Sequence, residues 1–115
     1  MNGRLVGATA MLAIAALTSP LASQQPTEPA AVYARQCASC HGATGAPNPA
    51  MVRSLGAMPD FSDARVMAAF PDSVLITVVT AGKGRSMPAY RTRLTPDQVR
   101  ALVAYVRTLS RPPSR

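Results

Sequence analysis

The sequence predicts a small, all-α, loop-rich domain, and three observations point to it. Val99, Leu102, Val103, Val106 and Leu109 recur at helical spacing near the end of the chain, with Arg100 and Arg107 on other faces. No stretch alternates apolar and polar residues as a half-buried strand would, and the one β-branched run, Val74 to Val79, has no second strand to pair with. Finally, 7 Gly and 11 Pro in 115 residues keep the regular elements short.

The elements follow in chain order. Residues 1–23 read as an export signal: Arg4 supplies the charge, Leu5 to Leu17 the uncharged run, and Thr18-Ser19-Pro20-Leu21-Ala22-Ser23 the break, with cleavage expected near Ala22 or Ser23. The run falls short of the roughly 20 residues that span a bilayer, and Pro20 favours cleavage over the alternative of a retained anchor. Residues 24–29 form a polar tail, residues 30–111 the folded domain and residues 112–115 a second tail. Ala30 to Gln36 is helix-compatible and runs straight into Cys37-Ala38-Ser39-Cys40-His41. Gly42, Gly45, Pro47, Pro49, Gly56 and Pro59 predict loops from 42 to 59.

By propensity alone, Val74 to Val79 would be a buried strand. Pro71 and Asp72 before it and Gly82 after it predict a short helix instead. Thr95-Pro96-Asp97-Gln98 then has an N-cap hydroxyl, Pro at N1 and Gln at N3, a capping box that opens the last helix; Pro112-Pro113 closes it.

Composition narrows the chemistry. With the signal removed, about 92 residues remain, a size at which a core built from the chain alone is marginal. The sequence has 2 Phe, 3 Tyr and no Trp, so something else must help fill the middle. A zinc module needs about four ligands and a disulfide scaffold more than one pair; 2 Cys and 1 His supply neither. No Gly-rich nucleotide fingerprint is present. The formal charge is +7, from 12 Lys/Arg against 5 Asp/Glu. Past the signal, the arginines are scattered from Arg35 to Arg115 without an aromatic platform, which argues against nucleic acid; the remaining positive charge reads either as a solvated surface or as long-range attraction to an acidic protein partner.

Cys37-x-x-Cys40-His41 carries the chemistry. Two thiols at this spacing can each add to a haem vinyl group while the adjacent imidazole reaches the iron from the same side. A thioredoxin-like pair would want a strand before the motif, and a disulfide across so short a loop would stabilise little. The motif uses every Cys and the only His. A second protein ligand to iron is then best sought among the methionines, whose thioether raises the reduction potential. Met51 and Met67 read as core filler. Met58 and Met87 both precede proline, which stiffens the loop. Met87, much farther from His41 along the chain, has the reach to return on the opposite face and is preferred to Met58.

With these motifs in place, the chain resembles class I c-type cytochromes of the small bacterial monohaem kind, over essentially all of residues 30–110. The resemblance rests on Tyr33 before Cys37, the Cys-x-x-Cys-His, the Gly82-Lys83-Gly84 to Met87-Pro88-Ala89-Tyr90 loop, and the final Leu102-Val103-Ala104-Tyr105-Val106-Arg107-Thr108-Leu109 helix. It implies a cytochrome c fold, with helices packed around one haem c attached at Cys37 and Cys40. It also implies His41 and Met87 as axial iron ligands, Tyr33 packed near Tyr105, and a carbonyl of Pro47 or Pro49 accepting from the His41 ring N–H. The family's small glycine in the first helix has no counterpart, since Pro29 or Ala30 lies about there.

Leu55, Phe61, Phe70, Leu75, Val79, Leu102 and Val106 are the expected haem pocket, and Arg53, Lys83 and Arg85 are candidates to pair with its propionates. The expected function is periplasmic one-electron transfer rather than catalysis. A haem relay subunit of a larger dehydrogenase or oxidase is the second reading. A haem enzyme or gas sensor with a displaceable Met87 is the third.

Overall fold

A computed structural model describes residue 3 and residues 28–111. All of the expected export signal but Gly3, most of the expected 24–29 tail, and the expected 112–115 tail lie outside the described residues. Among the described residues six helices follow in order: α1 Pro29–Gln36, α2 Ala38–His41, α3 Pro49–Leu55, α4 Ala64–Ala68, α5 Asp72–Ala81 and α6 Pro96–Thr108. Among the described residues there are no strands, only the isolated bridges Asp63 to Arg111 and Lys83 to Met87. No helix among them is long and apolar enough to cross a membrane.

The ends of these helices follow from the sequence. Pro29, Pro49 and Pro96 stand in first turns, where the missing N–H costs nothing. The capping box of α6 is present: Gln98 N–H donates to Thr95 Oγ1 at 3.2 Å, and Thr95 N–H to Gln98 Oε1 at 2.8 Å. The Val74 to Val79 run is helical, as expected, with Pro71 as N-cap and Gly82 as C-cap. Two short helices were not anticipated. Asn48 caps α3 within the expected 42–59 loop, its side chain accepting from Ala50 N–H. Asp63 caps α4 by accepting from Arg65 and Val66.

Helices α1 and α6 pack against each other, and α5 packs against α6. The core holds Val32, Tyr33, Phe61, Met67, Tyr90, Leu94, Val99, Leu102 and Val106. Tyr33 meets Tyr105 across the α1–α6 crossing with ring centroids 5.5 Å apart, in a tilted arrangement that suits aromatic quadrupoles. The crossing therefore forms with Pro29 and Ala30 where the family carries its small glycine.

Arg107, expected on a different face from the apolar repeat, is half-buried. Its guanidinium donates to Met67 O at 2.8 Å, to Phe70 O, and to Asp72 Oδ1 at 2.8 Å, so one side chain holds the end of α4 and the start of α5 onto α6. Asp72 is 64% exposed, and that ion pair adds little. The two carbonyls are the larger contribution. Arg107→Met is expected to lower stability by about 1–3 kcal/mol, read as an earlier denaturant midpoint. An unchanged midpoint would show the clamp to be energetically idle.

Candidate functional site

The Cys37–His41 segment sits where α1 ends and α2 begins. Cys37 caps α1 through its N–H to Tyr33 O at 2.9 Å, and its own carbonyl accepts from Cys40 at 3.2 Å and His41 at 2.9 Å. This tight turn holds both thiols and the imidazole on one short stretch. The thiols are free and half-buried. Burial and the neighbouring Cys40 push the Cys37 thiol up to about 11. Burial pushes the His41 imidazole down, keeping the ring neutral with a lone pair to donate.

The His41 ring stacks on Phe61, with centroids 4.7 Å apart and planes 14° from parallel. Phe61 is itself brought close by Gly45. Phe61 N–H donates to Gly45 O at 2.9 Å, and a Cβ at Gly45, where φ is +93°, would lie 2.9 Å from Phe61 Cβ. The chain just beyond α6 braces the same residue, since Ser110 Oγ donates to Phe61 O at 3.0 Å.

Neither Pro47 nor Pro49 accepts from the His41 ring. Its Nδ1 is buried without a hydrogen-bond partner. The intervening backbone is committed elsewhere: Asn48 N–H donates to Cys40 O at 2.9 Å, and the Asn48 amide to Ser39 O at 3.3 Å.

Two buried tyrosines flank the segment. The Tyr33 hydroxyl donates to Gly42 O at 2.7 Å, just beyond His41. The Tyr90 hydroxyl donates to Gln36 O at 3.1 Å, just before Cys37. Burial first, then Cys37 and Tyr105, push the Tyr33 phenol up to about 12.

Met87 lies on a separate loop after α5. Lys83 N–H donates to Met87 O at 2.9 Å and closes that loop on itself. Gly82, at φ +72°, permits this: a Cβ there would stand 2.7 Å from Met87 O. Ser86 Oγ donates to Leu55 O at 3.4 Å, tying the loop to the end of α3. Met67 is core, as read from sequence, at 2% exposure. Met51 is half-buried on α3, and Met58 half-buried outside any helix. Arg53, Lys83 and Arg85 are all exposed.

These residues fit a covalently held haem. The donor set is two free thiols and a neutral imidazole whose second nitrogen is orphaned. Two helices also carry apolar side chains that the fold leaves incompletely covered. Met51 and Val52 of α3 and Leu75, Ile76, Val78 and Val79 of α5 are all only partly buried, while Leu55 and Val74 are 38% and 42% exposed. Faces of this kind suit a flat macrocycle. Of the expected pocket, Phe61, Leu102 and Val106 belong to the core; Leu75 and Val79 pack partly against it, Phe70 is half-buried and Leu55 exposed. Sequence reasoning missed Tyr90 and Ser86 as tethers of the methionine loop. A tyrosine in an aromatic-poor chain, carrying a polar tip that burial must satisfy, was the available signal.

The family model described as "Cytochrome C oxidase, cbb3-type, subunit III" matches residues 24–106. The chain belongs to the cytochrome c family. Among its relatives, the cbb3-type cytochrome c oxidase subunit FixP of Azorhizobium caulinodans is 34% identical over 80 residues, covering 70% of this chain and 26% of that protein. FixP of Rhizobium meliloti is 37% identical over 78 residues, covering 68% and 25%. The chain thus spans about a quarter of the length of these FixP relatives. Cytochrome c6 of Nostoc sp. is 31% identical over 91 residues, covering 79% of this chain and 77% of that protein. The solved KustC0563 c-type cytochrome is similar at TM-score 0.66 and 32% identity, covering 73% of this chain and 99% of that one. Cytochrome c membership brings one covalent haem c with its iron, and electron transfer as the chemistry.

Proposed function

We propose that this cytochrome is a periplasmic one-electron carrier whose haem is tethered at Cys37 and Cys40, with its iron held between His41 and Met87. The carrying observation is the pairing of two free thiols with the chain's only imidazole on one turn, in a fold whose closed methionine loop is hydrogen-bonded through Tyr90 to the residue just before that turn. Bound haem supplies a reversible Fe(III)/Fe(II) couple. The cysteine tethers fix the ring. His41, neutral through burial and braced by Phe61, presents its lone pair. Met87 would supply a soft thioether that favours the ferrous state, and an iron held by both side chains would offer no open position to substrate or gas, which separates a carrier from an enzyme or sensor. The incompletely covered apolar side chains of α3 and α5 would be available to pack on the ring and exclude water from it. The export pattern of residues 1–23 supports the periplasmic assignment.

Charge supports an acidic partner. Between Asp72 and Asp97 the chain carries Lys83, Arg85, Arg91 and Arg93 and no acidic residue, and all four are exposed. They stand on either side of Met87 in sequence. Such a patch speeds encounter with a negative surface and loses its effect with salt. Stopped-flow oxidation of the reduced protein by ferricyanide tests carrier chemistry and field together. The expected result is one electron per chain, at a second-order rate that falls as ionic strength rises, with no carbon monoxide complex of the ferrous form. A salt-independent rate would contradict the patch, and ready carbon monoxide binding would contradict the closed iron.

A second reading is favoured by the FixP relatives, which carry the description of oxidase subunits. In it, the same domain relays electrons inside a larger complex. Co-purification of the tagged chain with membrane oxidase polypeptides would select that reading; recovery as a free small protein selects the carrier.

A further inference from the structure

We infer that Tyr90 is the positioning residue that keeps Met87 on the iron, its hydroxyl latching the methionine loop to the helix end that leads into Cys37. The inference rests on the His41/Met87 ligation proposed above.

The hydrogen bonds of the loop isolate this contact. Among the described residues, Tyr90 and Arg91 donate their N–H groups back to α5, at Val79 O (3.0 Å) and Thr80 O (3.3 Å), and Ser86 Oγ donates to Leu55 O of α3. From residues 82–94 to residues 36–41 there is one hydrogen bond, Tyr90 hydroxyl to Gln36 O at 3.1 Å, which reaches the residue immediately before Cys37. Gln36 is the last residue of α1, where carbonyls lie beyond the helix's own ladder and need an outside donor. Tyr90 is 5% exposed and belongs to the same core cluster against which Cys37 packs. Its hydroxyl cannot turn to water without repacking that core.

Met87 is held between two anchors. Behind it stands the Lys83 to Met87 closure; ahead of it, Pro88 and Ala89 are all that separate it from Tyr90. Pro88 fixes its own φ and offers no N–H, so this link is short and stiff. Each residue spans at most about 3.5 Å, so Met87 cannot withdraw far without opening the closure or pulling on the tyrosine. Loss of the hydroxyl should leave the core in place while raising the fraction of time the thioether is off the iron.

An external ligand reads that fraction directly, because its apparent affinity scales with the population of the open state. The test uses the full-length ferric holoprotein and imidazole as probe, following the weak red absorption band of methionine-ligated ferric haem. Tyr90→Phe is expected to bind imidazole on the order of two- to tenfold more tightly than the parent, the size of one lost net hydrogen bond. Arg107→Met, which loosens the fold where α4 ends and α5 begins, is the comparison for general destabilisation and is expected to keep the parent affinity. Should Tyr90→Phe fold poorly, a glycine inserted between Ala89 and Tyr90 retains the hydroxyl and slackens the link, and it is expected to raise the affinity in the same direction.

Parent-like imidazole affinity in Tyr90→Phe or in the insertion variant, or an equal rise in Arg107→Met, overturns the latch. A parent protein without the red band, unchanged by Met87→Ala, overturns the ligation reading beneath it. A band present in the parent and lost in Met87→Ala upholds that reading independently of Tyr90.

Discussion

Replacing Cys40 by alanine is expected to leave a protein from which most of the haem can be extracted by acid–acetone, or one held by a single link, where the parent retains all of it. The two thiols stand on one turn, with Cys40 N–H donating to Cys37 O at 3.2 Å, so each can meet a different edge of the same ring system while His41 follows immediately. Removing one leaves an unreacted vinyl group. The alkaline pyridine haemochrome band then moves toward that of a haem with a free vinyl, a shift that mere loss of yield does not produce. The core also depends on this attachment. In a chain of few aromatics, α3 and α5 present apolar side chains that the described residues only partly cover. Cys40→Ala should therefore unfold at lower denaturant than the parent holoprotein, as expected when a bound group stabilises only the folded state. Parent-like haem retention with a parent-like haemochrome would contradict attachment at Cys40.

Met87→Ala is expected to lower the reduction potential by on the order of 0.1 V or more, within the roughly 0.8 V over which axial ligands tune haem iron. The sulfur stabilises Fe(II); water or hydroxide in its place does not. The variant should also lose the red band of the ferric protein and gain affinity for carbon monoxide in the ferrous state. Met58→Ala is the control, because Met58 shares the proline that follows but lies on the half-buried stretch after α3 without the closure that fixes Met87. An unchanged potential in Met87→Ala beside a lowered one in Met58→Ala would transfer the assignment.

How much of this could be read from sequence depends on the range of each signal. The haem motif is local, five consecutive residues with nothing left to infer about their proximity. The last helix was equally readable, since its capping box and apolar repeat are both short-range. Even the Tyr33 to Tyr105 contact could be anticipated, through the family resemblance. Helix α4 was hidden because five residues make too little of a turn pattern to register, and only the Asp63 cap marks its start. The expected Pro47 or Pro49 acceptor for His41 was not found, because the 46–48 backbone is held against Gly42 and Cys40 instead. Hidden most fully were the contacts made by polar tips far apart in sequence: Arg107 onto Met67 and Phe70, Tyr90 onto Gln36, and Ser86 onto Leu55. Periodicity indicates which face of a helix is buried. It says nothing about which distant carbonyl a buried hydroxyl or guanidinium will satisfy.

Trypsin offers the most direct test of the central claim, because it cuts after Arg35 and Arg53 and so releases residues 36–53 with both cysteines and the histidine on one peptide. The purified, exported protein should yield this peptide carrying the mass of one haem, with no thiol left to alkylate and visible absorption travelling with it. A peptide of unmodified mass, its two thiols alkylated or joined as a disulfide, would contradict the account.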